Sequence, residues 1–135
     1  QLEIWLDPLR ALKADGDPVE EILAYALRKL DMSRDTPRES RLFANEILQG
    51  APRIADHLAG PLKALVNEKA AILRNWSNAG KIADLNPHHL IFSIWAITQH
   101  YADYDAQLRA LMPGEDVFDA ARTHVTHMIR AALKP

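Results

Sequence analysis

The sequence predicts an all-α domain whose last two helices are shared in a dimer. Three observations lead there. Apolar residues recur at three- and four-residue spacings, and no two-residue alternation persists anywhere. Most of the eight prolines and five glycines stand between those periodic segments. One late segment is apolar on all its faces, which in so short a chain asks for cover from a second copy.

Taken in order, residues 1–14 put Leu2, Leu6, Leu9 and Leu12 near helical spacing, with Ile4 and Trp5 beside them. No capping residue precedes them, so the chain reads as starting partway along a helix, and Pro8 is expected to kink or break it. Gly16-Asp17-Pro18 makes a turn. Asp17 is placed to cap the next helix, with Pro18 at its first position and Glu20 three residues after the cap. Val19, Ile22, Leu23, Ala26, Leu27 and Leu30 then form one stripe to about Met32.

Thr36, Pro37 and Glu39 repeat the device as a capping box. Leu42, Phe43 and Ile47 make the apolar face, Glu46 projects between them, and Gly50 with Pro52 ends the helix. Residues 53–79 read as one long helix, or a short and a long one joined at Gly60-Pro61. The stripe is Leu62, Leu65, Val66, Ile72, Leu73 and Trp76, with Lys69 in its middle. Gly80 closes it and Asn86-Pro87 opens the segment 87–104, the one without a polar face. After Pro113-Gly114, residues 116–133 form the last helix. Its stripe is Val117, Phe118, Ala121, Val125, Met128, Ile129, Ala132 and Leu133, with alanines small enough for close helix approach.

The 135 residues fit a single domain, 1–135. A folded chain of this length exposes roughly 7,000 Å² against about 22,000 Å² unfolded, which is enough burial for a core without staples. There are no cysteines, which excludes disulfides, thiolate zinc sites and thiol nucleophiles and permits a cytoplasmic location. Sixteen basic and eighteen acidic residues leave a net charge of −2, so bulk charge does not make the chain a polyanion binder. The longest strongly apolar run, 90–97, is too short to cross a bilayer, no secretory pattern opens the sequence, and no membrane partner is expected. The first residue is Gln1 and not Met, which reads as a preceding segment having been removed.

Catalytic signatures are sparse. The glycines stand alone at 16, 50, 60, 80 and 114, no serine sits in a nucleophile elbow, and no acidic residue precedes a histidine by three. His124 and His127 lie one turn apart, and His88 and His89 open the penultimate helix. Without carboxylate or thiol companions they read as packed or solvated histidines, so no metal, cofactor or catalytic residue is expected. Glu46 and Lys69 are lone charges on apolar stripes. Each is either a rim group with its head in water or part of a polar cavity lining.

The richest constellation is His88, Phe92, Trp95 and Gln99, at spacings of four, three and four, with Thr98 beside it. Gln99 sets a carbonyl acceptor next to an amide donor, which matches a flat ligand offering donor and acceptor side by side, such as a pyrimidine or cyclic imide. The alternative is an aromatic core stripe with an ordinary amide hydrogen bond. Helical facing nominates Trp95, Gln99, Thr98, Phe92, Phe43, Glu46 and Trp76 as ligand-lining residues. It nominates Leu90, Ile94, Ile97, Tyr101, Tyr104, Val117, Ala121, Val125, Met128 and Ile129 for the dimer interface.

The stretch HLIFSIWAITQHYADY (89–104) resembles the penultimate helix of a uracil-responsive, pyrimidine-utilisation branch of the TetR-family repressors. SRLFANEILQGAP (40–52), LKALVNEKAAILRNWSNAGKI (62–82) and EIWLDPL (3–9) resemble that branch in the same order. The resemblance implies the C-terminal helical ligand domain of a TetR-like repressor, without enzymatic activity. Its last two helices would form a four-helix bundle in a homodimer, and a pyrimidine base, uracil or thymine, would be the effector that releases operator DNA. DNA would be contacted only through an N-terminal helix-turn-helix domain, which this chain does not contain. A structural dimerisation module with its cavity filled by its own side chains stays open as the alternative. A small helical enzyme using Glu46 with a histidine is a third reading.

Overall fold

The computed structural model describes residues 2–135, and within them every regular element is helical. Gln1 and the Leu2 side chain, the first member of the first predicted stripe, lie outside what is described. The elements are α1 (Leu2–Arg10), α2 (Pro18–Asp35), α3 (Pro37–Leu48), a short α4 (Ala55–His57) running through a π turn (Leu58–Leu62) into α5 (Lys63–Asn78), then α6 (Pro87–Asp103), α7 (Asp105–Leu111) and α8 (Val117–Leu133). Helix α2 is the central element and packs mainly on α6 and α8. Its buried residues Ile22, Leu23, Ala26 and Leu30 meet Leu90, Ile91 and Ile94 of α6 and Val125, Ile129 and Leu133 of α8 in one core.

Local chemistry sets most boundaries. The Asp17 carboxylate accepts from the Glu20 backbone N–H at 3.0 Å, the Asn86 side chain from His89 at 3.2 Å and Asp116 from Phe118 at 3.0 Å. Thr36 behaves differently from the prediction. Its hydroxyl donates back to the Met32 carbonyl at 2.9 Å, so it closes α2 and makes no side-chain cap for α3. Pro8 lies inside α1 and does not break it. The ring is fully buried, and the carbonyl it leaves unpaired belongs to the exposed Ile4 turn. Gly60-Pro61 does lie at the joint between a short and a long helix, and the joint is a π turn, Leu58–Leu62, which carries the chain from one into the other. The short helix α7 lies between the two predicted final helices, in a stretch outside every predicted element.

Two predicted faces differ from the observed packing. On α3, Leu42 and Ile47 point outward with Leu48, which is 82% exposed, while Ser40 faces inward. The all-apolar α6 is covered largely from within the same chain, by α2, α3 and α5. Leu90 and Ile94 of α6 and Ala121, Val125 and Ile129 of α8, nominated for the dimer interface, are therefore buried in the protomer's own core. Ile97, Tyr101 and Val117 are half-buried, and Tyr104 and Met128 are exposed. What remains uncovered on the α6–α8 side is Ser93, Ala96, His100, His124, His127 and Met128, with Phe92 and Tyr104 toward its ends.

Candidate functional site

A cavity opens between α1, α2, α3, the α4–π segment and α6. Its walls are Trp5, Leu6 and Leu9 from α1, Tyr25 and Lys29 from α2, Phe43 from α3, His57 and Leu62, and Trp95 and Gln99 from α6. Helical spacing builds it: Trp5 and Leu9, Tyr25 and Lys29, and Trp95 and Gln99 are each four apart, so each helix turns two neighbours to the same space. The interior gives water-molecule centres about 70 Å³ of room. One water needs on the order of 10–15 Å³ by that measure, so the space suits a small organic molecule. Phe43, Leu62, Trp95 and Gln99 also line an outer cleft of about 470 Å³ between α3 and α6, so these four side chains stand between the two spaces.

The walls are aromatic. The Trp5 and Phe43 rings stack with centroids 6.3 Å apart and planes 20° apart. The Trp95 indole N–H donates to the Tyr25 phenolic oxygen at 2.7 Å, which orients both rings. Burial pushes the Tyr25 hydroxyl up to about 12, against the opposing effect of that hydrogen bond, so it keeps a proton to donate.

Four polar groups punctuate this surface: the Tyr25 hydroxyl, the Gln99 amide, the Lys29 ammonium and the His57 imidazole. Lys29 is only 4% exposed, and its nitrogen stands 4.3 Å from the Trp5 ring centroid. Burial lowers its pKa to about 8, opposed by the attraction of the Asp103 carboxylate. That carboxylate is fixed by the Ser40 hydroxyl at 2.6 Å. His57 Nε2 is buried with no hydrogen-bond partner among the described residues. Such a lining has the chemistry to hold and orient a flat polar ring: it presents adjacent donors and acceptors, and among the described residues that line it no nucleophile is paired with a base.

Of the sequence-nominated ligand residues, the fold brings Phe43, Trp95 and Gln99 to this cavity. Glu46 lies on the far side of Phe43, in a surface cleft with Arg38 and Arg53, and its carboxylate accepts from the Arg53 backbone N–H. Its possible partner Lys69 is buried elsewhere and donates to the carbonyls of Arg10 at 3.2 Å and Leu12 at 2.8 Å. Trp76 faces the same turn, with its indole N–H on the Ala14 carbonyl at 3.3 Å, because this face of α5 packs against the end of α1. Thr98 turns under α2: it is fully buried, its hydroxyl donates to the Ile94 carbonyl at 2.7 Å, and its own carbonyl accepts from Ser33. Phe92 is 45% exposed, lying one turn before Trp95, beyond the end of the cavity.

Sequence reasoning missed Trp5, Tyr25, Lys29 and His57 as lining residues. A signal for two of them was present, since Tyr25 and Lys29 continue the buried line that begins at Ile22 and ends at Ser33, at spacings of three and four.

Residues 1–135 match the family model for the C-terminal region of YcdC-like proteins, a TetR-type C-terminal family. The HTH-type transcriptional regulator RutR of Escherichia coli strain K12 is 44% identical over 138 aligned positions, covering 99% of this chain, and RutR of Shigella flexneri matches to the same extent. The chain spans 65% of the length of these relatives. They are HTH-type transcriptional regulators. An all-helical chain that matches this model from end to end belongs to the TetR-type C-terminal family of YcdC-like proteins.

Proposed function

We propose that the chain is the effector-sensing and dimerisation part of a cytoplasmic repressor. It binds a pyrimidine base, uracil or thymine, in the cavity beside Trp95 and Gln99. The observation that carries this reading is the meeting of Trp5, Phe43, Trp95 and Gln99 around one small space. Stacked rings suit a planar heterocycle, and an amide matches an edge with adjacent donor and acceptor. The helix-turn-helix (HTH) type of the related regulators supports a DNA-reading helix-turn-helix in the complete protein. Trp5, Leu6 and Leu9 put α1 in the cavity wall, so occupancy would bias α1 and, through it, the spacing of two DNA readers.

Pairing as a homodimer fits the surface. The chain exposes 8038 Å², well above the roughly 7,000 Å² typical of a monomer this size. The excess is of the order of one partner's share of a standard interface, about 800 Å². Ala96, Ile97 and His100 of α6 and His124 and Met128 of α8 line a shallow groove on the uncovered side, where a twin's helices would lie.

Calorimetry tests the ligand. A base has about eight heavy atoms, so affinity in the micromolar range or somewhat tighter is expected for uracil or thymine. Gln99→Leu removes both polar partners while keeping most of the shape, and should cost about 1–3 kcal/mol, or roughly tenfold to over a hundredfold. Absence of any heat with either base sinks the reading and leaves a dimerisation module in its place.

A further inference from the structure

Among the described residues, the Lys29 ammonium makes no hydrogen bond and no ion pair, although the residue is only 4% exposed and lines the cavity, into whose space the nitrogen keeps a little accessible surface. The nearest attracting carboxylate, Asp103, is held by Ser40 instead. A buried cation left this way costs free energy, and the Trp5 face beneath it offsets only part of that cost. The position is not explained by packing, since an apolar side chain would fill it without the cost.

We propose that Lys29 is a ligand-contacting residue, its ammonium donating to a ring carbonyl oxygen of the effector above the face of Trp5. This rests on the pyrimidine-base reading and deepens it. An ammonium has three donors and no acceptor, so it specifies an oxygen at that point of the ligand and rejects an N–H. The Tyr25 hydroxyl, which accepts from Trp95 and keeps its proton, is a second donor on the same helix face. Gln99 supplies the acceptor that a ring N–H requires. The cavity thus asks for a ring with more acceptors than donors at its edge on α2, and a donor facing α6.

The test is calorimetry and thermal melting of the chain and of Lys29→Met, with uracil, 2-thiouracil and 4-thiouracil as probes. Sulfur is a poorer acceptor than oxygen. In the unaltered chain, one thio analogue should bind more weakly than uracil. In Lys29→Met, uracil affinity should fall roughly tenfold to a hundredfold, as for a lost hydrogen bond to a charged group. The preference for oxygen over sulfur should vanish with it, and the ligand-free melting temperature should stay level or rise. Unchanged uracil affinity in Lys29→Met overturns the proposal. So does an oxygen preference that persists in the variant, because Lys29 then only shapes the wall. If the unaltered chain binds no uracil at all, the pyrimidine-base reading fails, which is a separate result. If Lys29→Met does not fold, Lys29→Leu, which also lacks a donor, carries the same comparison.

Discussion

The Trp95 indole N–H rests on the Tyr25 phenolic oxygen at 2.7 Å and ties α6 to α2 in the cavity wall. It is a contact between residues 70 positions apart, and it fixes the plane of the indole that a flat ligand would meet. Tyr25→Phe removes the acceptor and leaves a part-buried N–H without a partner. The expected cost is about 1–2 kcal/mol of stability, read as a lower urea midpoint with an unchanged slope. An unchanged midpoint means that water replaces the hydroxyl at no cost.

Lys69 closes the end of α1. Its nitrogen donates to the carbonyl of Arg10, an orphan group at the helix end, and to that of Leu12, two residues beyond it, and the residue is 6% exposed. Lys69→Met keeps the length of the chain and strands both carbonyls. Stability should fall by about 2–4 kcal/mol. Because α1 also carries Trp5, Leu6 and Leu9, amide exchange along α1 should speed up more than along α8. Uniform exchange across both helices contradicts a local role.

Stability should rise with alkaline pH over a defined window. Lys29 titrates near 8 in the fold, against an ordinary 10.5. Below pH 8 it is charged in both states and the burial cost is fully present. Between pH 8 and 10.5 the unfolded chain binds more protons than the folded one, so unfolding becomes harder as pH rises. The full gap is worth about 3 kcal/mol. Tyr25 works the other way from pH 10, where the unfolded phenol ionises and the folded one, near 12, does not. The rise should therefore be clean between pH 8 and 10 in the ligand-free chain, and absent in Lys29→Met. A parallel pH profile in the two proteins assigns the titration to another group.

The sequence was most legible where a few neighbouring residues decide the structure. Asp17 with Pro18 and Asn86 with Pro87 announce helix starts through groups three residues away, and both act as read. It was least legible where the decision depends on which element lies opposite. Thr36 can serve either of two helices, and the Met32 carbonyl wins. Phe92 and Gln99 share a helix line, yet only Gln99 has the cavity opposite it. Lys29 continues the helical line of Ile22 and Tyr25, but a lysine at that spacing reads equally well as a stem with its head in water. Its burial follows from α1 lying across α2, and nothing between 18 and 35 states that.

The α6–α8 face yields the last prediction. Ala96 is small and exposed, and sits with His124 and Met128 in the groove left uncovered by the protomer. A twin packed there would bring its own helices within contact distance of the Ala96 methyl, since small residues are what allow helix axes to approach closely. Ala96→Glu puts an unpaired carboxylate into that contact. Its cost to association should be about 2–5 kcal/mol, a roughly 30-fold to several-thousand-fold weaker dimer. Leu111→Glu, on the exposed α7 outside the groove, is the matched control and should leave association unchanged. Sedimentation at micromolar concentration should give a dimer for the parent and for Leu111→Glu, and a monomer for Ala96→Glu. The parent's melting temperature should also climb with protein concentration, because association stabilises the folded chain by mass action. A parent that sediments as a monomer removes the dimer from the proposal, and a dimeric Ala96→Glu moves the interface to a different face.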